Sequence, residues 1–198
     1  MIMCKFSEST KEKLGNALIY MAERVADLSK TKALKLLYLM EERMVLKYHV
    51  PFLGIPYEVW QAGPVAKDVF IDLSDGPYLL KDYVKTEILH AATYIVSVKP
   101  FCDDEFSECE IDMMDAILHK YGKMTAAELV NETHKKGTLW YKEASQSGLL
   151  EAFQNHECNN SDIKIDFTKA MTPCAAEYYQ ESLDIHQTAN LLSISAHV

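Results

Sequence analysis

His134 and Trp140 are the residues whose types come nearest to a reactive or ligand-holding pair, because imidazole titrates near neutral pH and an indole can shield it. The alternative is structural: a buried histidine bonded to backbone beside a packed indole, and the sequence favours it. Trp60 with Gly63 and Pro64 allows a partner-binding rim. It equally allows a tryptophan that fills a gap between strand and helix while Gly-Pro turns the corner, the favoured reading because large aromatics anchor cores. Lys35 and Tyr38 share one helix side and can face a partner. More commonly such a lysine lays its methylenes over apolar neighbours and keeps its ammonium in water.

Other chemistry is thinly represented. His156-Glu157-Cys158 has metal-ligand types but no second ligand pair at zincin or finger spacing. No nucleophile elbow is present, so scattered Ser, Cys, His and Asp define no triad. There is no P-loop and no Gly-x-Gly-x-x-Gly, and seven glycines leave little for a phosphate cradle. Asp103-Asp104-Glu105 reads as a solvated loop or as charge at a helix N-terminus. The 29 acidic residues offer no particular pair for acid–base work. The expectation is a protein without catalytic residues, metal or cofactor.

Twenty basic against 29 acidic residues give a net charge of −9. That opposes nonspecific nucleic-acid binding, which depends on cations neutralising phosphates. Lys30, Lys32 and Lys35 form a short cluster on a helix that reads as a solvated edge. Cys4, Cys102, Cys109, Cys158 and Cys174 are odd in number, widely spaced and without a Cys-x-x-Cys pair. Free thiols in a reducing cytoplasm are expected. The first residues, Met-Ile-Met-Cys-Lys-Phe-Ser-Glu, lack the apolar core of a signal peptide. No run of about 18 apolar residues could span a membrane.

The elements that must position these residues are mainly helical. Residues 1–8 are expected to be loosely held ahead of the first helix. Ser9 and Glu12 make a capping-box pattern before Leu14, Ala17, Leu18, Met21 and Val25, which share one helical face. Ser29 suits the N-cap of a second helix, apolar on most sides and ended by Pro51. Tyr57 to Gln61 reads as extended, and Gly63-Pro64 as a turn with proline opening a short helix. Alternation on both sides of His90-Ala91-Ala92 predicts a hairpin over residues 82–99. Ser107/Glu110 and Thr125/Glu128 are further capping boxes, and Gly122 suits a left-handed helix end. Another short helix is expected near Thr138, then a short extended segment at Ile163–Phe167. A last helix opens at Thr172-Pro173 and runs through Ala176, Tyr179 and Leu183 toward Leu191–Leu192. The fold class is α+β, predominantly α-helical, with a small β-hairpin or short sheet. Residues 1–150 are expected to form one domain, with 151–198 an extension packed on it.

Three signatures then stand in order: Lys32-Ala-Leu-Lys35-Leu36-Leu37-Tyr38, Trp60-Gln-Ala-Gly63-Pro64-Val65, and Tyr121-Gly122 through Ala127, Leu129, Thr133-His134 and Trp140. Together they resemble the Panacea domain, or SocA-like antitoxin domain, of bacteria and phages, over roughly residues 10–145. The acidic stretch usual after the histidine is replaced by Lys135-Lys136, and the region after about residue 150 carries no family motif. The resemblance implies a compact, mainly helical domain with a small β element. It implies an antitoxin that neutralises a cognate protein toxin by direct contact, with Lys35, Tyr38, Trp60, Gly63, Pro64, His134 and Trp140 as the family-motif residues. One branch of the family delivers its toxin to a ClpXP-type protease. An adapter working with an AAA+ unfoldase, or a general phage or mobile-element interaction protein, is therefore the alternative.

Overall fold

In the computed structural model, residues 6–195 are described, and Cys4 lies outside them. The fold is α+β and predominantly helical. Helices α1 (Glu8–Arg24) and α2 (Lys30–Tyr48) are followed by strands β1 (Glu58–Trp60) and β2 (Gly63–Val65) and helix α3 (Lys67–Asp72). Strands β3 (Val84–Leu89) and β4 (Ala92–Ser97) precede α4 (Glu108–Tyr121), α5 (Ala126–Thr133), α6 (Leu139–Gln146) and α7 (Leu149–Gln154). A 3-10 turn (Phe167–Ala170) leads into α8 (Pro173–Ser195).

Helix α2 is the axis of the core. Ser29 caps it, its hydroxyl accepting from the Lys32 amide, and His49 closes it in left-handed geometry at φ 58° just ahead of Pro51. Ala33, Leu36, Leu37, Met40 and Val45 have no exposed surface, and Leu34 and Tyr38 almost none. Because α2 is apolar nearly all round, it can be covered on every side: it packs against α1, α3, α4, α5, β2, β4 and the 3-10 turn. Each fully buried leucine contributes roughly 1.5–3 kcal/mol of transfer free energy.

Two antiparallel pairs flank this helix. In the outer hairpin Leu89 opposes Ala92 and Val84 opposes Ser97. The tip, His90 and Ala91, has positive φ at both positions (50° and 64°), the geometry that matches a two-residue turn to strand twist. β4 is tied back to the α1–α2 corner by the Ile95 amide, which donates to the Leu28 carbonyl at 2.9 Å. The inner pair places Trp60 opposite Gly63 and Glu58 opposite Val65.

Several local expectations are corrected. The cap of α1 is Ser7, which is buried and accepts from the Thr10 amide; Ser9 is already helical, and its hydroxyl donates to Glu105. Pro64 opens no helix: it sits in β2, and α3 starts three residues later at Lys67. Gly122 ends α4 in right-handed geometry (φ −63°, ψ −23°), because the chain turns straight into the Thr125 capping box. The extended segment expected at Ile163–Phe167 forms over its first three residues, bridging Lys164 to Glu58 with the Val59 amide donating to the Ile163 carbonyl and the Ile165 amide to the Tyr57 carbonyl, both at 2.8 Å; only its end differs, since Asp166 caps a 3-10 turn that begins at Phe167. The capping boxes of α4 and α5 form as the sequence predicts. Along α8, Tyr179 is buried while Leu192 is exposed, and the Leu191 side chain lies outside the described residues.

Gly15 shows how closely α1 meets the hairpin. A Cβ at this position would fall onto the Tyr83 ring. Gly15→Ala is therefore expected to cost about 2 kcal/mol and to lower the melting temperature by about 4–8 °C, checked by thermal unfolding followed by circular dichroism.

Candidate functional site

The three signatures converge on one buried clasp. Lys35, from the middle of α2, is 1% exposed, and its ammonium donates to the Pro64 carbonyl at 2.8 Å. Burial without a facing carboxylate pulls its pKa down to about 7. The ammonium does not stay in water, as a snorkelling lysine would, and Lys32 is buried as well, so the expected solvated edge is only half-buried at Lys30 and absent at the other two. The reason is geometric: Lys35 lies on the α2 face that β2 and α5 cover.

Gly63 is required at the centre of the clasp. Its φ of +95° disfavours any side chain, and a Cβ there would lie 2.7 Å from Thr133 Oγ1 and 2.9 Å from Lys35 Cε. Gly63→Ala is expected to cost about 3 kcal/mol and to lower the melting temperature by about 6–12 °C. A urea titration with an unchanged slope and a lower midpoint would register it.

The two tryptophans lock the same turn from outside. Trp140 is buried on α6, and its indole N–H donates to the Trp60 carbonyl at 3.0 Å. Trp60 is half-buried, sits edge-on to Phe70 at 5.0 Å, and donates its own N–H to Glu58 at 3.0 Å. Thr138 caps α6 while its hydroxyl donates to the Thr133 carbonyl at 2.7 Å, joining α5 to α6. His134 ends α5 with its ring 3.8 Å from the Trp140 indole. Its Nε2 is buried with no hydrogen-bond partner among the described residues. Burial lowers the His134 pKa, the Lys35 charge lowers it further, and the Gln61 backbone pulls it back. Neutral imidazole is the form this position tolerates.

Lys35, Gly63, Pro64, Trp60, His134 and Trp140 are thus brought together. Tyr38 is not: it is buried one turn further along α2, donates to Glu42 at 2.7 Å, and meets the Tyr57 ring at 5.4 Å. What the clasp presents outward is the turn Trp60-Gln61-Ala62, with Ala62 exposed and the other two half-exposed. Gln61 is pinned on both sides, its side-chain amide donating to the Phe153 carbonyl at 3.1 Å and its backbone amide to Asn159 at 3.0 Å. Exposed Lys135 and Lys136 follow His134 directly.

A second buried ion escaped notice in the sequence. Glu41 accepts from the amides of Phe52 (3.1 Å), Leu53 (2.8 Å) and Gly54 (3.4 Å), holding the loop after α2. Burial outweighs those bonds and raises its pKa to about 7. The signal was present: Leu34, Leu37, Glu41 and Val45 share a helix stripe, and a lone carboxylate on such a stripe must find donors. His156 is exposed and Cys158 half-buried; among the described residues no group of three or more His, Cys, Asp or Glu is placed to hold a metal ion. Among the same residues no helix is long and apolar enough to cross a membrane.

This clasp, the helical fold around it and the order of the signatures coincide with a match to the family described as antitoxin SocA-like, Panacea domain, over residues 34–141, and the chain belongs to that family. It is similar to Antitoxin SocA of Caulobacter vibrioides (strain NA1000 / CB15N), at 32% identity over 108 residues. That alignment covers 54% of this chain and 54% of the relative, so the chain matches about half the length of this curated protein. No solved structure matches.

Proposed function

We propose that this chain is an antitoxin that neutralises a cognate protein toxin by direct, stoichiometric contact in the cytoplasm, with no catalysis of its own. The observation that carries the reading, beside family membership, is the expense of the clasp. A buried lysine near its titration point and an orphaned imidazole nitrogen each cost free energy, and Gly63 supplies a φ of +95° that other residues resist. What they fix in place is the short surface turn Trp60–Ala62 and the adjoining end of α5. A pre-organised surface turn lowers the ordering cost of binding. The toxin contacts that turn together with Lys135 and Lys136. The net charge of −9 speeds encounter with a basic toxin, and this acceleration weakens with added salt.

The test is co-expression with the product of the adjacent open reading frame. Rescued growth, together with a defined complex by size exclusion and native mass spectrometry, is the expected result. Unrescued growth and no complex would overturn the reading. Rescue that requires an AAA+ protease in the host would replace occlusion by delivery.

A further inference from the structure

Between the α1–α2 corner, the start of β4 and the α4–α5 turn lies a groove of about 910 Å³. Its lining runs against the composition of the chain. Arg24, Lys32 and Lys123 bring three cations and His119 an imidazole, against the carboxylate of Asp27 in the lining and that of Glu23, which pairs with Arg24 at 3.4 Å. Two helices begin here, α2 at Ser29 and α5 at Thr125, and two end here, α1 at Arg24 and α4 at Tyr121, so the helix ends do not by themselves set the sign of the groove. The first turn of α2 carries no acidic residue, whereas that of α5 carries Glu128.

Lys32 makes the case independent of the helix ends. It is 6% exposed, yet among the described residues no carboxylate lies within salt-bridge distance of it. Its ammonium has only a long contact, 3.4 Å, to the Ala26 carbonyl. A cation this buried, set at the positive end of a helix, is under-compensated by the chain itself. The remaining walls are apolar: Tyr94, Leu118 and Met124. Phosphate chains need cations alone and gain nothing from such walls. Cations alternating with apolar surface fit carboxylates alternating with apolar side chains.

We infer that this groove docks an acidic, partly apolar peptide segment of a protein partner. The groove lies at the α4–α5 turn, whereas the Trp60 turn and the end of α5 form the surface assigned above. The inference rests on the proposed protein-binding role only for the partner's identity. A toxin gripped at both places would be held by two sites rather than one.

The test is selection of short random peptides displayed on phage against the whole protein, with a Lys123→Glu variant as counter-selection. Lys123 is exposed, and matching melting curves would show that the variant is folded. Enriched peptides are expected to carry Asp or Glu beside apolar residues. A synthetic copy of the best peptide should bind Lys123→Glu about tenfold more weakly and should shift amide resonances of residues 24–32, 92–94 and 118–126. A Lys32→Met variant should weaken it by at least as much. Enrichment without acidic residues, equal binding to the variants, or resonance shifts confined elsewhere would overturn the inference. So would an oligothymidylate that binds this groove more tightly than the selected peptide, which would assign it to phosphates. No toxin is needed for the selection, so failed growth rescue leaves a positive groove result standing, and a failed selection leaves the antitoxin reading to the Trp60 turn.

Discussion

Glu41→Ala should be the most damaging single substitution in this chain. It removes the acceptor of three amides at once and leaves a cavity in fully buried surroundings. At roughly 1–3 kcal/mol for each orphaned donor, partly relieved by local rearrangement, the loss is about 5 kcal/mol. For a chain of this size the melting temperature should fall by about 10–20 °C. The loss begins locally, so the amides of Phe52, Leu53 and Gly54 should show accelerated hydrogen exchange before the rest of the core. Glu41→Gln keeps one acceptor and should lose less than half as much. It also removes a pH dependence. The folded carboxyl titrates at about 7, against 4.5 as the unperturbed value. The folded state therefore holds a proton that the unfolded state has released across that window. The stability from Glu41 is complete below pH 4.5 and is lost as pH rises to about 7.

Lys35 should produce the opposite slope, and its substitutions should separate volume from charge. Its folded pKa is lowered from 10.5 to about 7, so between those values the unfolded state binds the additional proton. Stability from Lys35 is present at high pH and is lost as pH falls through about 7, by at most about 1.4 kcal/mol per pH unit. Together the two groups predict a stability minimum near neutral pH, with Tyr38 and Tyr57, whose hydroxyls burial raises well above their usual range, limiting the alkaline side. Urea unfolding at pH 5, 7 and 9 would test this, with the lowest stability expected at pH 7. Lys35→Ala leaves a cavity and orphans the Pro64 carbonyl, and should cost about 3 kcal/mol at pH 9. Lys35→Met keeps the volume and relieves the buried charge. It should equal or exceed the natural protein at pH 6, fall below it at pH 9, and show no alkaline slope. A Lys35→Met protein that keeps the natural pH profile would show that this ammonium is not the titrating group.

The elements were legible where a local rule acts alone. Ser29, Ser107 and Thr125 cap where their spacing places them, and the alternation of residues 84–97 is the hairpin. The errors fall where tertiary contact overrides local preference. Gly63-Pro64 has the chemistry of a turn followed by a helix, but Lys35 binds the Pro64 carbonyl and β1 pairs with Gly63, which keeps the segment extended. Ser7 displaces Ser9 as cap because it is buried beneath the first turn, which spacing does not reveal. The convergence of the signatures was not legible either. Lys35, Gly63, His134 and Trp140 lie on four separate elements, and periodicity says which face a residue occupies, not which faces meet. Lys35 looked like a surface lysine because that is what most lysines on helices are, whereas here β2 and α5 close over it.

In the proposed role the clasp holds a surface for a toxin. Hydrogen exchange of the complex with the adjacent gene product, measured against the free protein by mass spectrometry, tests it most directly. Added protection in peptides covering residues 60–63 and 133–136, with the amides of α2 unchanged because they are already buried, is the result predicted. A stable complex that leaves both of those segments exchanging as in the free protein would contradict it.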